Sequence, residues 1–200
     1  MDIQLKTGCF DDAALVRRVV FIDEQGYENE FDAIDKDQSC IHVTLYVDGE
    51  LAGCSRVFPE ELERVVDAEP PVLPACDMDE GVAAGETYIM GRVAVLPAMR
   101  RRGLASAIVE ASAACACNAG AKLIKLHAQE YVLPLYAKAG YTQIAPVDYE
   151  DEGQARRWQI GTFLFCRQLG TLLGNWRIGA LRHTVFRFRM YICALMGYKI

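Results

Sequence analysis

The stretch Val93 to Ala111, VAVLPAMRRRGLASAIVEA, limits what this chain can become more than any other. An apolar, strand-like run halts at Pro97, which has no N–H for a sheet ladder. Beyond it, Leu104, Ile108, Ala111 and Cys115 recur at i, i+4, i+7 and i+11 and describe one helix face, closed by Gly120. Arg100, Arg101, Arg102 and Gly103 fill the junction. The first amides of a helix have no partner within it, and the helix dipole places partial positive charge beside them. Gly103 removes a Cβ where a ligand must come close, and the arginines add full charges. Strand, glycine loop and helix together predict a cradle for a diphosphate. The spacing is neither a Walker loop, since GK[ST] is missing, nor a dinucleotide fingerprint, since Gly103 stands alone. A solvated basic turn or a nucleic-acid patch is the plainer alternative. With a net charge of −6 on the chain, nucleic acid is not expected as a partner.

The flanking sequence sets this junction in an alternating order of strands and helices. DIQLKT reads as an edge strand, and the segment from Asp11 to Gly26 as a helix with Asp11 or Asp12 as N-cap. IHVTLYV and ELAGCSRVF flank Asp48-Gly49, a strong signal for a tight hairpin. Residues 59–85 carry four prolines and many acids and read as an irregular excursion, with one helical turn at EELERVV. ETYIMGRVAVL is too apolar for a strand with a wet face and is expected at the centre of the sheet. KLIKLHA is a strand, YVLPLYAKAG a short helix ended by Gly140, YTQIAPVDYE a strand, and RRWQIGTFLF a candidate last strand.

Charge divides the chain. All 27 acidic residues lie in 1–153, against 13 Lys and Arg, whereas 154–200 hold 8 Lys and Arg and no acid. The expected organisation is therefore a domain over 1–165 and a basic, apolar extension over 166–200. That extension reads as an amphipathic membrane segment, a helical appendage, or a segment translated outside the usual frame; glycines at 170, 174 and 179 weaken the first. Membrane contact is not expected of it. Eight cysteines without a CxxC pair suggest free, mostly buried thiols in a reducing compartment, hence the cytoplasm, and no zinc site. The N-terminus lacks the basic start and apolar run of a signal peptide.

Arg100-x-x-Gly103-x-Ala105 after VAVLP resembles the [Q/R]-x-x-G-x-[G/A] motif of the GNAT acetyltransferases. LYAKAGY, Leu135 to Tyr141, is similar to that superfamily's FYxKxGF element. VFIDEQGYENEFDAIDKD, Val20 to Asp37, resembles the signature of its ElaA-like branch, and HAQ at His127 and YEDEG at Tyr149 fit the same branch. The sequence departs from the branch after YEDEG, where a proline-histidine pair and a short closing strand are usual.

The resemblance implies an α/β fold, mixed in the α+β sense: a central, mostly antiparallel sheet with splayed central strands between flanking helices. It implies acetyl-CoA as acetyl donor and a primary amine as acceptor. Val93, Ala94 and Val95 would hold the pantetheine arm, and Arg100, Arg101, Arg102, Gly103, Leu104, Ala105 and Ser106 the pyrophosphate. Tyr136 takes the place of the tyrosine near the thioester sulfur and suits a general acid, since a phenol keeps its proton at pH 7. Glu30, Glu86, His42 and His127 are candidates for the base that frees the amine. Glu30 lies in the branch signature and His127 ends a strand beside the cofactor helix; the sequence does not choose among them. Acidic stretches at 23–37 and 59–86 would steer a cationic acceptor. The rival reading is a non-catalytic acetyl-CoA sensor or interaction module. A lactone synthase of the same fold would need a long acyl pocket and an adenosylmethionine site, which no residue demands. A homodimer is left open.

Overall fold

A computed structural model describes residues 1–66, 77–147, 162–168 and 189–190. The element YEDEG and most of the extension lie outside them. An eight-stranded sheet runs in the order β6-β7-β5-β4-β3-β2-β1-β8. Its strands are β1 (Ile3–Thr7), β2 (Ile41–Val47), β3 (Glu50–Pro59), β4 (Thr87–Val95), β5 (Leu123–Gln129), β6 (Thr142–Val147), β7 (Thr162–Gln168) and β8 (Arg189–Met190). Every pairing is antiparallel except β4 with β5 and β1 with β8. The helices are α1 (Phe10–Arg17), α2 (Glu63–Val66), α3 (Leu104–Asn118) and α4 (Leu133–Lys138). No helix of the described residues is long and apolar enough to cross a membrane.

Local chemistry accounts for most of this order. Asp48 (φ 52°) and Gly49 (φ 88°) are both left-handed and turn β2 into β3, as the twist of a two-residue hairpin requires. Gly53 lets three elements meet: a Cβ there would lie 2.6 Å from the Ala94 carbonyl oxygen and 2.6 Å from Ile108 Cδ1. Central β4 is buried through Met90, as its apolar run predicts.

Several expectations change. The N-cap of α1 is Cys9, with Asp11 and Asp12 inside the first turn. The helix then widens into a π-helical stretch, Arg18–Glu24, before Gly26. β1 has an outer neighbour, because Gln4 and Leu5 pair with Arg189 and Met190. The closing strand exists as β7, starts at Thr162, and inserts between β5 and β6. It runs through position 165, the expected end of the domain. The cysteines at 9, 40, 54, 115 and 117 are free, but of these only Cys40 and Cys54 are buried.

The face of α3 is also rotated. Leu104 and Ile108 are buried as expected, but Ala111 and Cys115 are only half-buried, and Val109, Ser112, Ala113 and Ala116 face the core. Two apolar clusters explain this. Leu104 and Ile108 pack with Leu45 and Ala52, while Val109, Ala113 and Ala116 pack with Met90, Ile124 and Tyr136. Ser112 is polar yet fully buried; its hydroxyl lies 2.5 Å from that of Ser55 and donates to the Ile108 carbonyl at 2.7 Å. A hydropathy pattern passes over a serine satisfied in this way.

Candidate active site

The site is an opening in the sheet. β4 and β5 pair only at Thr87–Leu123, Tyr88–Ile124 and Ile89–Lys125. Beyond those pairs β4 stays with β3 and β5 with β7. Between β3 and β4 the register slips by one residue at Arg92, whose φ of 55° marks a bulge in β4. Bulges bend a strand and increase its twist, which helps part the two strands. A cleft of about 1420 Å³ fills the gap, lined by Met90 to Val95 on one wall and by His127 to Val132 with Tyr136 on the other.

The junction loop closes one end of this cleft. Pro97–Met99 form a single 3-10 turn, after which Arg101 (φ 63°) and Gly103 (φ 77°) are left-handed and aim the chain into α3. Gly103 is the N-cap, without a side-chain hydrogen bond to the first amides of α3. Open space lies where its Cβ would be. A 15-residue helix therefore presents uncapped amides at the cleft, the arrangement that suits an anion. Arg100, Arg101, Gly103, Leu104, Ala105 and Ser106 all line it, together with Val93, Ala94 and Val95. Arg102 does not: it is exposed, and its Nη1 lies 3.5 Å from Met99 Sδ. Arg100 is not a free charge either. Its Nε donates to the Val95 carbonyl at 3.0 Å and its two terminal nitrogens donate to Glu24, one of them at 2.7 Å.

Tyr136 lies on the opposite wall, 5 % exposed and edge-on to Tyr141 at 5.8 Å between centroids. Burial pushes its hydroxyl well above the usual phenol range, so it holds its proton. His127 is exposed and lines the same wall. Glu30 reaches the cleft but is 3 % exposed and tied down: its Oε1 accepts from Arg17 Nε at 2.7 Å and lies 3.0 Å from Arg92 Nε. Burial raises its carboxyl above the usual range even against the pull of those arginines. Glu86 and His42 do not line the cleft. Glu86 pairs with Lys122 at 2.7 Å, which lowers its carboxyl. His42 Nε2 lies 3.0 Å from the Asp35 carbonyl oxygen, and burial depresses its titration.

Sequence reasoning missed the ion network under the cleft. Arg17 spans Glu30 and Asp35, and Arg56 spans Asp32 and Asp35, all at 2.6–2.9 Å. The side chains of Arg17, Glu30 and Asp35 are 3 % exposed or less. Each acid of the ExDxxD signature thus holds an arginine from another element. Asp35, Cys40 and His42 also come together within 4.8 Å, but both Asp35 oxygens already accept from guanidinium groups and burial pushes the Cys40 thiol up to about 12. That chemistry does not suit a cation. A further bridge crosses the cleft, where Gln129 Nε2 lies 3.4 Å from Gln25 Oε1 and 3.2 Å from the Tyr27 hydroxyl.

This arrangement has counterparts among known proteins. Residues 9–141 match the model of the acetyltransferase (GNAT) family, and the chain belongs to that family. A Bacillus subtilis (strain 168) protein whose acetyltransferase name is itself provisional is 29 % identical over 129 residues, covering 63 % of this chain and 71 % of its own. Among solved structures, Escherichia coli ElaA superposes with a TM-score of 0.60 at 17 % identity, over 83 % of this chain and 99 % of that one. An acyl-CoA N-acyltransferase from Pseudomonas aeruginosa gives 0.60 at 19 %, over the same shares. At these identities the structures show a shared fold.

Proposed function

We propose that this acetyltransferase is an N-acetyltransferase that takes its acetyl group from acetyl-CoA and transfers it to a primary amine. The parting of β4 and β5 beside the uncapped start of α3 carries this reading, because it joins a slot with open backbone groups to an anion site at its end. The backbone of Val93–Val95 would hold the pantetheine arm and polarise the thioester carbonyl, as an oxyanion hole does. The amides of Gly103 to Ser106, with Arg101, would hold the pyrophosphate. Tyr136 would protonate the departing thiolate, its buried hydroxyl still carrying its proton at neutral pH. Much of the rate would come from holding both substrates in one cleft. The free thiols of Cys9, Cys40, Cys54, Cys115 and Cys117 fit a reducing compartment such as the cytoplasm. The catalytic unit would end with β7, leaving the basic extension outside the chemistry. The test is calorimetric titration with acetyl-CoA, then a panel of amines with mass spectrometry of the products. Acetyl-CoA binding and acetylated amine are expected; binding without turnover on any amine would favour the sensor, and no binding would remove both readings.

A further inference from the structure

The charged groups lining the cleft cancel almost completely. Glu24 pairs with Arg100, Glu30 with Arg17 and Arg92, and Asp32 with Arg56. Among the described lining residues, three are left with no ion pair. Arg101 sits in the loop at the anion end. Glu130 is exposed at the mouth, in the turn before α4. Glu63 lies half-buried at the far end, on the first residue of α2.

An apolar cluster lies beside Glu63. Leu62, just before it, packs on the cluster of Ile34, Cys40, Phe58 and Ile89 and anchors the turn. Ile34, Phe58 and Ile89 line the same end of the cleft. The charged groups that act on Glu63 are Glu60, Lys125 and Arg56, and the two cations are already engaged. Lys125 Nζ lies 3.2 Å from both Glu60 and Asp79, and Arg56 serves Asp32 and Asp35. A half-buried carboxylate is costly without a partner, so a ligand that supplies a positive charge is favoured there.

Building on the acetyltransferase reading, we propose that Glu63 receives the ammonium group of the acceptor and takes the proton it must lose, and that the acceptors are primary amines on an apolar arm, arylalkyl or branched alkyl. The arm would lie against Ile34, Phe58 and Ile89. One proton passes from the ammonium nitrogen to a Glu63 carboxylate oxygen, directly or through one water. The freed lone pair forms the N–C bond to the thioester carbonyl, and the C–S bond breaks. The thiolate takes the Tyr136 proton, Tyr136 regains the second proton shed by the nitrogen, and Glu63 returns its own to solvent. The products are the amide, the free thiol and one proton. Burial raises Glu63 above the ordinary carboxyl range, which brings it closer to the working pH of a base.

Two measurements test this, one without turnover. Binding of 2-phenylethylamine to the full chain saturated with coenzyme A is read by calorimetry for the wild type and for Glu63→Gln. A loss of roughly 10- to 100-fold is expected in the variant, the range for removing a hydrogen bond to a charged group, with coenzyme A affinity unchanged. The kcat/KM of the wild type should also fall on the acid side as Glu63 protonates; that limb should vanish in Glu63→Gln and return in Glu63→Asp. Equal amine binding by wild type and Glu63→Gln, no binding to the wild type, or better turnover of spermidine than of 2-phenylethylamine would overturn the proposal. If 2-phenylethylamine binds through Glu63 but no acetyl group moves, the acetyltransferase reading fails while this site stands. If amines are acetylated alike by both proteins, the reverse holds.

Discussion

Arg100 and Glu24 face each other as a forked pair, 76 residues apart in the chain, while Arg100 Nε also donates to the Val95 carbonyl. One guanidinium thus ties the π-helical stretch, the end of β4 and the junction loop before α3 together. It was expected to serve as a charge for the pyrophosphate, yet its donors are largely spent on the protein. Arg100→Lys keeps the charge but loses the fork. It is expected to weaken acetyl-CoA binding by roughly tenfold, about 1.4 kcal/mol, through a misplaced loop. Since the pair is exposed, the variant should lose at most about 1 kcal/mol of stability. Calorimetry and urea unfolding check the two halves; full acetyl-CoA affinity in Arg100→Lys would show that the fork does not position the loop.

Tyr136→Phe should lower kcat by about 10² or more, the span of general acid catalysis, with acetyl-CoA affinity nearly intact. The ring stays edge-on to Tyr141, so the fold should hold. Steady-state kinetics beside calorimetry read this, and unchanged turnover would remove the acid role.

Gly103→Glu should abolish acetyl-CoA binding. A side chain at φ 77° costs about 1–2 kcal/mol of backbone strain, and the carboxylate brings negative charge to an anion site. Gly103→Ala separates the two effects: it carries the strain without the charge and should retain measurable binding. Equal titrations for Gly103→Glu and wild type would withdraw the pyrophosphate assignment.

The buried network predicts how stability follows pH. The guanidinium groups of Arg17 and Arg56 hold Asp35 at about 2, against 3.8 ordinarily, despite its burial. A depressed carboxyl binds fewer protons folded than unfolded, so its contribution is complete above about pH 4 and disappears as pH falls toward 2. The shift corresponds to about 2 kcal/mol. His42, depressed by burial, works earlier: the unfolded chain takes up its proton first, so stability falls once pH drops below about 6.5. Urea midpoints between pH 7 and 3 should decline in these two stages, and His42→Gln should remove the upper one. Arg17→Ala leaves buried Glu30 with Arg92 alone and buried Asp35 with Arg56 alone, and should cost about 3–5 kcal/mol.

A chain ending after Gln168 keeps β7 whole and removes the basic extension. It is expected to retain acetyl-CoA binding and turnover, whereas a chain ending at Phe165 cuts β7 and should be destabilised. Activity and thermal unfolding of the two truncations, both of which also remove β8, test whether catalysis ends with β7.

What sequence by itself determined is local. Asp48-Gly49 demands left-handed angles, so the hairpin is legible. Pro97, Gly103 and the apolar period after it mark a strand, a loop and a helix start, so the junction on which the anion cradle is proposed is legible too. The ExDxxD acids were visible as a signature, but their work was not: Glu30, Asp32 and Asp35 meet Arg17, Arg56 and Arg92 only because α1, β3 and β4 bring them there. Spacing cannot foresee ion pairs between separate elements. The same holds for Ser112, which is buried because Ser55 faces it across the core, and for Glu63, which reads as one acid among many in a solvated excursion. Only the tertiary structure, by pairing every other described carboxylate near it or leaving it in the open, set Glu63 apart.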